Sequence, residues 1–215
     1  MEMILAVSIF VIAYIFIATE KISKVVIVLS GAAAMVLIGA TDAEKAFYNH
    51  ETGIDWNVIF LLLGMMIIVG IIHKTGLFEY IAVGAIKKSK GNPKTSLVYL
   101  MILTALASAI LDNVTTILLA VPMTLIITKH LQVSPIPFIL AEVFVSNIGG
   151  AATLVGDPPN IIIASKADIS FNAFLIHMAP LVLLVLAVII PFLVFFFRRE
   201  LINSPEARDL VMRLD

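Results

Sequence analysis

The 215-residue sequence has no cysteine, which excludes disulfide frameworks, thiolate metal sites and cysteine nucleophiles together. Charge is scarce too: Asp, Glu, Lys and Arg form 13% of the chain, about half the roughly 25% of soluble domains. The 14 basic and 15 acidic side chains nearly cancel and no polybasic arm exists, so nucleic acid is not an expected partner. No Ser/His/Asp set, phosphate loop or metal-ligand spacing occurs, and the chain does not read as an enzyme. What abounds is apolar: 61% of the residues are hydrophobic, against roughly 45–50% in ordinary domains, which excludes a water-soluble fold.

The apolar residues fall into six blocks, and a membrane helix needs roughly 20 of them in a row. Simple spans are predicted over about 3–18, 25–40, 56–72 and 173–197. Met1-Glu2 lacks the basic start of a secretory signal, so the first block reads as a mature helix. The glycines within 30–39 and 64–70 read as sites of close helix packing. The remaining two blocks carry polar residues where hydrocarbon should be. Residues 95–128 hold Asp112-Asn113-Val114-Thr115-Thr116 at their centre, and as one straight helix they would reach about 51 Å, against a hydrocarbon core of roughly 30 Å. Residues 136–164 are interrupted at Ser146 to Gly150 and again at Gly156 to Asn160, the pattern of a helix that unwinds and restarts.

Cytoplasmic loops carry the excess of lysine and arginine, and that excess chooses between wirings. If 95–128 crosses once, 8 of the 14 basic residues lie inside, which is almost no bias. If the block enters and returns on the same side, 12 of 14 lie inside, with only Lys45 and Lys166 outside. Two full crossings would give the same count, but each arm is only about 16 residues and a tight Asp-Asn turn suits a re-entrant hairpin buried in protein. This wiring places the N-terminus outside and the C-terminus in the cytoplasm of a multi-pass protein of the cell membrane. Residues 41–55 form an external loop, 77–94 an interfacial helix and basic turn, and 200–215 a polar cytoplasmic tail.

A carboxylate at bilayer depth costs at least ~2.5 kcal/mol, so Asp112 and Asp157 call for a compensating use. Asp112, the expected principal coupling-ion group, is placed to accept from the free amides of the second arm and, beside the open carbonyls of the first, to hold sodium or a proton. Asn113, Thr115 and Thr116 add neutral ligands at the same point. In the second break Gly149 and Gly150 suit the left-handed or extended backbone that ends a helix. Asp157 before Pro158 reads equally as a helix N-cap and as an ion ligand. Asn147, Thr153 and Asn160 either complete a ligand shell or satisfy unwound backbone. Glu142, about two turns into its block, is either a proton relay or the partner of a neighbouring helix. His177 reads as packing, and His50, His73 and His130 fall at water or interface.

Ile110-Leu111-Asp112-Asn113-Val114-Thr115-Thr116, followed by Gly149 through Asn160 (GGAATLVGDPPN), closely resembles the arsenite permease and sodium/proton antiporter family. That family includes the melanosomal P protein and belongs to the citrate-transporter-like superfamily. The resemblance runs through Ser204-Pro205-Glu206-Ala207-Arg208. It implies an all-α integral membrane protein: one repeat of an inverted-repeat transporter, residues 1–199, in which a re-entrant hairpin and a discontinuous fifth helix jointly bind solute. Such transporters have two repeats of opposite orientation, and one is present here. The expected partners are therefore the lipid bilayer and an inverted second repeat, on this or a separate chain, in an oligomer if separate. No cofactor is implied beyond a coupling sodium or proton at Asp112 and Asp157. Because no Lys or Arg lies inside the spans, sodium/proton antiport or arsenite-type efflux is favoured over a citrate or dicarboxylate carrier. A non-transporting scaffold or regulatory remnant is the alternative from another class.

Overall fold

The computed structural model describes residues 2–49 and 53–202; His50 and the tail from residue 203 on, with Ser204 to Arg208, lie outside the described residues. Every regular element among the described residues is an α-helix. It divides into two compact units, residues 1–56 and 57–215.

In the first unit α1 (Glu2–Thr19) packs against α2 (Lys24–Leu37). A Cβ placed on Gly31 would meet Ala13 Cβ at an ordinary 3.8 Å, so small residues set this contact. α2 stops before the predicted residue 40 because Gly39 adopts φ +75°, a left-handed conformation that ends helices. The stretch expected as a loop contains a short helix, α3 (Ala43–Phe47). Its N-cap is Asp42, which accepts from the Lys45 amide at 2.7 Å and pairs with the Lys45 ammonium at 3.2 Å. The amide bond first, and the lysine beside it, hold the Asp42 carboxyl below the ordinary aspartate range.

The second unit holds α4 (Trp56–Lys74) from Asn57 onward, α5 (Leu77–Lys88), α6 (Pro93–Ile110), α7 (Asn113–Leu131), α8 (Ile136–Gly150), α9 (Pro158–Lys166) and α10 (Phe171–Phe196). Local chemistry marks the ends. Asn92 caps α6, accepting from the Lys94 amide at 3.0 Å, with Pro93 at the first helical position. Gln132 turns left-handed (φ 55°) to close α7, and Ser170 caps α10 through the Ala173 amide. α10 runs unbroken for 26 residues past Pro180 and Pro191.

The core of this unit lies where α6, α7, α8 and α10 meet: Leu97 and Met101, Ile127 and Leu131, Phe138 and Val145, and Leu193 are buried together. The outward faces are apolar instead of charged, with Leu181, Leu184, Val188 and Phe195 of α10 exposed. Contiguous exposed apolar surface on that scale marks a membrane or protein contact. Among the described residues α6, α7 and α10 are long and apolar enough to cross a membrane, and α1, α2, α4 and α8 are shorter apolar helices. The hairpin arms have 18 and 19 residues, about 27 and 28 Å at ~1.5 Å per residue, longer than the 16 expected. Gly64 and Gly70, expected to sit in close packing, meet nothing within 4 Å in this chain.

Candidate functional site

The hairpin turns in two residues. Leu111 and Asp112 are extended (ψ −178° and 156°), and α7 begins at once with Asn113. Asp112 is the N-cap of α7: its Oδ1 accepts from the Thr115 amide at 2.8 Å, and its Oδ2 accepts the Thr115 hydroxyl. Of the free amides of the second arm, that of Thr115 meets this carboxylate.

The fifth helix breaks over residues 151–157, between α8 and α9, and not at Ser146 to Gly150, which stay helical. Gly149 and Gly150 show no positive φ, so the left-handed backbone expected of them is absent. They are needed for close approach. A Cβ on Gly149 would fall on the Ala105 backbone of α6, and one on Gly150 would stand 2.6 Å from the Gly156 carbonyl oxygen. Gly156 in turn lies against the Gly150 and Ser108 carbonyls. Three glycines thus let α6, α8 and the break touch backbone to backbone.

Side-chain hydrogen bonds stitch the hairpin tip to the break. Ser108 Oγ donates to the Ser146 carbonyl at 2.7 Å, and Ser146 Oγ donates to the Asn113 carbonyl at 3.0 Å. Asn113 Nδ2 donates to Asn147 Oδ1 at 3.0 Å, and Asn147 Nδ2 to the Val143 carbonyl at 2.8 Å. Thr153 Oγ1 donates to the Ala109 carbonyl near the end of α6 and accepts from the Gly156 amide at 3.0 Å. Asn160 Nδ2 reaches back to the Thr153 and Gly150 carbonyls at 3.0 and 3.3 Å. Open carbonyls at both helix ends are satisfied this way, as irregular backbone at membrane depth requires.

Asp157 stands apart. It occupies the N-cap position of α9, with extended φ −149°, yet its carboxylate makes no capping bond. The reason is the sequence after it. An N-cap side chain accepts from the second or third helical amide. Pro159, second in α9, has no N–H, and the third amide, of Asn160, is taken by the Asp157 backbone carbonyl at 3.0 Å. Of the two aspartates, Asp112 caps its helix and Asp157 does not. Asp157 follows Gly156, which lies against the Ser108 carbonyl of α6, so it enters the same junction as the hairpin tip.

The junction therefore brings together Asp112, Asn113, Thr115, Asn147, Gly149, Gly150, Thr153, Asp157 and Asn160, all named from sequence. Thr116 does not join them: it is buried and faces inward, between α6, α7 and α8. Ser108 and Ser146, both fully buried, were not anticipated; the signal was the four-residue spacing of Thr104 and Ser108, which puts both hydroxyls on one face of α6. No group of three His, Asp or Glu placed to hold a metal ion occurs among the described residues.

Residues 14–212 match the family model described as "Citrate transporter". The chain belongs to the citrate transporter family. An uncharacterized transporter of Mycobacterium tuberculosis (strain ATCC 25618 / H37Rv) is 50% identical over 212 residues, covering 99% of this chain and 49% of its own length. A "46 kDa membrane protein" of Mycobacterium leprae is likewise 50% identical over 212 residues. The P protein of Homo sapiens is 37% identical over 198 residues, 89% of this chain and 24% of that protein. The chain spans about half the length of the mycobacterial relatives. Family membership accords with the apolar outer faces of the fold and makes this a multi-pass membrane protein.

Proposed function

We propose that residues 1–199 are one repeat of an ion-coupled secondary transporter of the cell membrane, working by sodium/proton antiport or arsenite-type efflux. One observation carries the reading: Asp157 has no hydrogen-bonding duty, yet it sits beside Asp112 in a junction whose other polar groups are satisfied. A carboxylate retained there at a cost of at least ~2.5 kcal/mol needs a use, and a coupling cation supplies one. Asp157 is accordingly the principal cation ligand, with Asp112 as its neighbour and Thr115 and Asn113 as neutral contributors. Arm length alone no longer argues for re-entrance. The two-residue Asp112 tip still supports it, and the 12-to-2 partition of basic residues supports both ends of the hairpin on one side, with the N-terminus outside and the C-terminus in the cytoplasm.

An inverted second repeat, wherever it is encoded, supplies the opposite wall, because alternating access rocks one element against another around a shared site. A citrate or dicarboxylate carrier is the second reading, favoured by the family's description and by the amino ends of α7 and α9, which attract anions. Flux into liposomes separates these. With the inverted repeat present, arsenite or sodium/proton exchange is expected and residues 1–215 alone are expected to be silent. Saturable flux by residues 1–215 alone would overturn the need for a partner. Citrate-specific flux would favour the second reading, and a folded assembly moving none of these would favour a scaffold.

A further inference from the structure

Away from the junction, α8 buries Glu142 completely, at 0% exposure. It faces α7, where Thr124 Oγ1 lies 2.7 Å from one carboxyl oxygen and 2.9 Å from the other. A hydroxyl has one proton to give, whereas an ionised carboxylate presents about four acceptor sites. Among the described residues no lysine, arginine or histidine pairs with Glu142. The titratable groups on the helices packed against α8 are Lys94 and Tyr99 on α6, Lys129 and His130 on α7, and His177 on α10, with Asp112 at the start of α7. None of them lines the space beside Glu142.

That space is a cavity of about 30 Å³ between α6, α7 and α8, walled by Leu100, Leu103, Leu119 and Met123. Two threonines, Thr104 and Thr116, open into it with Glu142. Thr116 is 2% exposed, and among the described residues its Oγ1 is the buried side-chain polar atom without a hydrogen-bond partner. One water needs roughly 10–15 Å³ and two to four polar partners. The three side chains meet both conditions. On α7, Thr116 stands one turn beyond the Asp112 cap, and Thr124 and Thr128, four residues apart, are neighbours two turns further on; all three threonines are buried. Thr128 Oγ1 donates to the Thr124 carbonyl at 2.7 Å.

We propose that Glu142 is a proton-binding site: it carries a proton at neutral pH and is joined through one water in this cavity to Thr116, one turn from the Asp112 tip. Deprotonation passes the proton from the carboxyl oxygen to that water and leaves a buried carboxylate held by one hydroxyl. The inference requires no second repeat and no transported solute, because three helices of this chain wall the cavity.

Infrared spectroscopy of the whole chain in phosphatidylcholine bilayers, with carboxyl-labelled ¹³C-glutamate, tests it. At neutral pH a protonated glutamic acid carbonyl band is expected that shifts with the label and is lost in Glu142→Gln. In Thr116→Val the band is expected to remain but change frequency, since the water loses an anchor. Labelled wild-type protein with no such band at neutral pH would overturn the proposal without any variant having to fold. A band that survives in Glu142→Gln would overturn it as well, and an unmoved band in Thr116→Val would overturn the link through water.

Discussion

Gly149 in α8 lies so close to Ala105 in α6 that no side chain of any size fits between them; a Cβ there would overlap the Ala105 carbonyl. The contact is backbone against backbone, so neither partner can yield by changing rotamer. Gly149→Ala is therefore expected to destabilise the protein by at least the ~1–3 kcal/mol of ordinary overpacking. Gly64→Ala, in open space within α4, is expected to be neutral or to stabilise by about 0.5–1 kcal/mol, the usual helix-interior difference. Thermal unfolding in detergent compares the two. Equal behaviour would mean that α6 and α8 are not in contact as described.

The two aspartates are expected to separate in stability. Asp112→Ala removes the cap of α7 and should cost about 1 kcal/mol, within the ~0.5–2 kcal/mol range for such caps. Asp112→Asn keeps a good capping side chain and should cost only a few tenths. Asp157→Asn removes no hydrogen bond and relieves a like-charge neighbour, so no loss of stability is expected. Denaturant titration of the three variants checks the order, and a loss at Asp157→Asn matching Asp112→Ala would contradict it.

The absence of native cysteine allows the wiring to be read by single introduced thiols. A hairpin that enters and leaves on the cytoplasmic side puts position 129 inside and position 166 outside. An impermeant thiol reagent applied to intact cells is expected to label Lys166→Cys and to spare Lys129→Cys. The opposite pattern would require 95–128 to cross once.

The helices and the hairpin were legible because membrane depth enforces long apolar runs and makes every interruption conspicuous; Asp112 stood out for that reason. Asp157 was ambiguous, since Asp before Pro reads as an N-cap, and only the placement of Pro159 and the Asn160 amide showed that no donor remained for its carboxylate. The role of Gly149 was misjudged because sequence reveals that a glycine is present but not whether φ or a neighbour demands it. The neighbour here, Ala105, is 44 positions away. Glu142 was visible as a lone acid in an apolar block, but its partner Thr124 emerges only once α7 folds back on α8.

The most direct test of the account is the dependence of flux on the coupling ion in liposomes containing the complete two-repeat assembly, comparing wild type with Asp157→Asn. Even outer-shell partners of a bound metal are worth roughly 10–100-fold in affinity, so a direct ligand should cost at least about tenfold. The account predicts that Asp157→Asn unfolds like wild type yet loses sodium or proton dependence by that factor or more. Unchanged ion dependence in Asp157→Asn, with the loss appearing in Asp112→Asn instead, would contradict it.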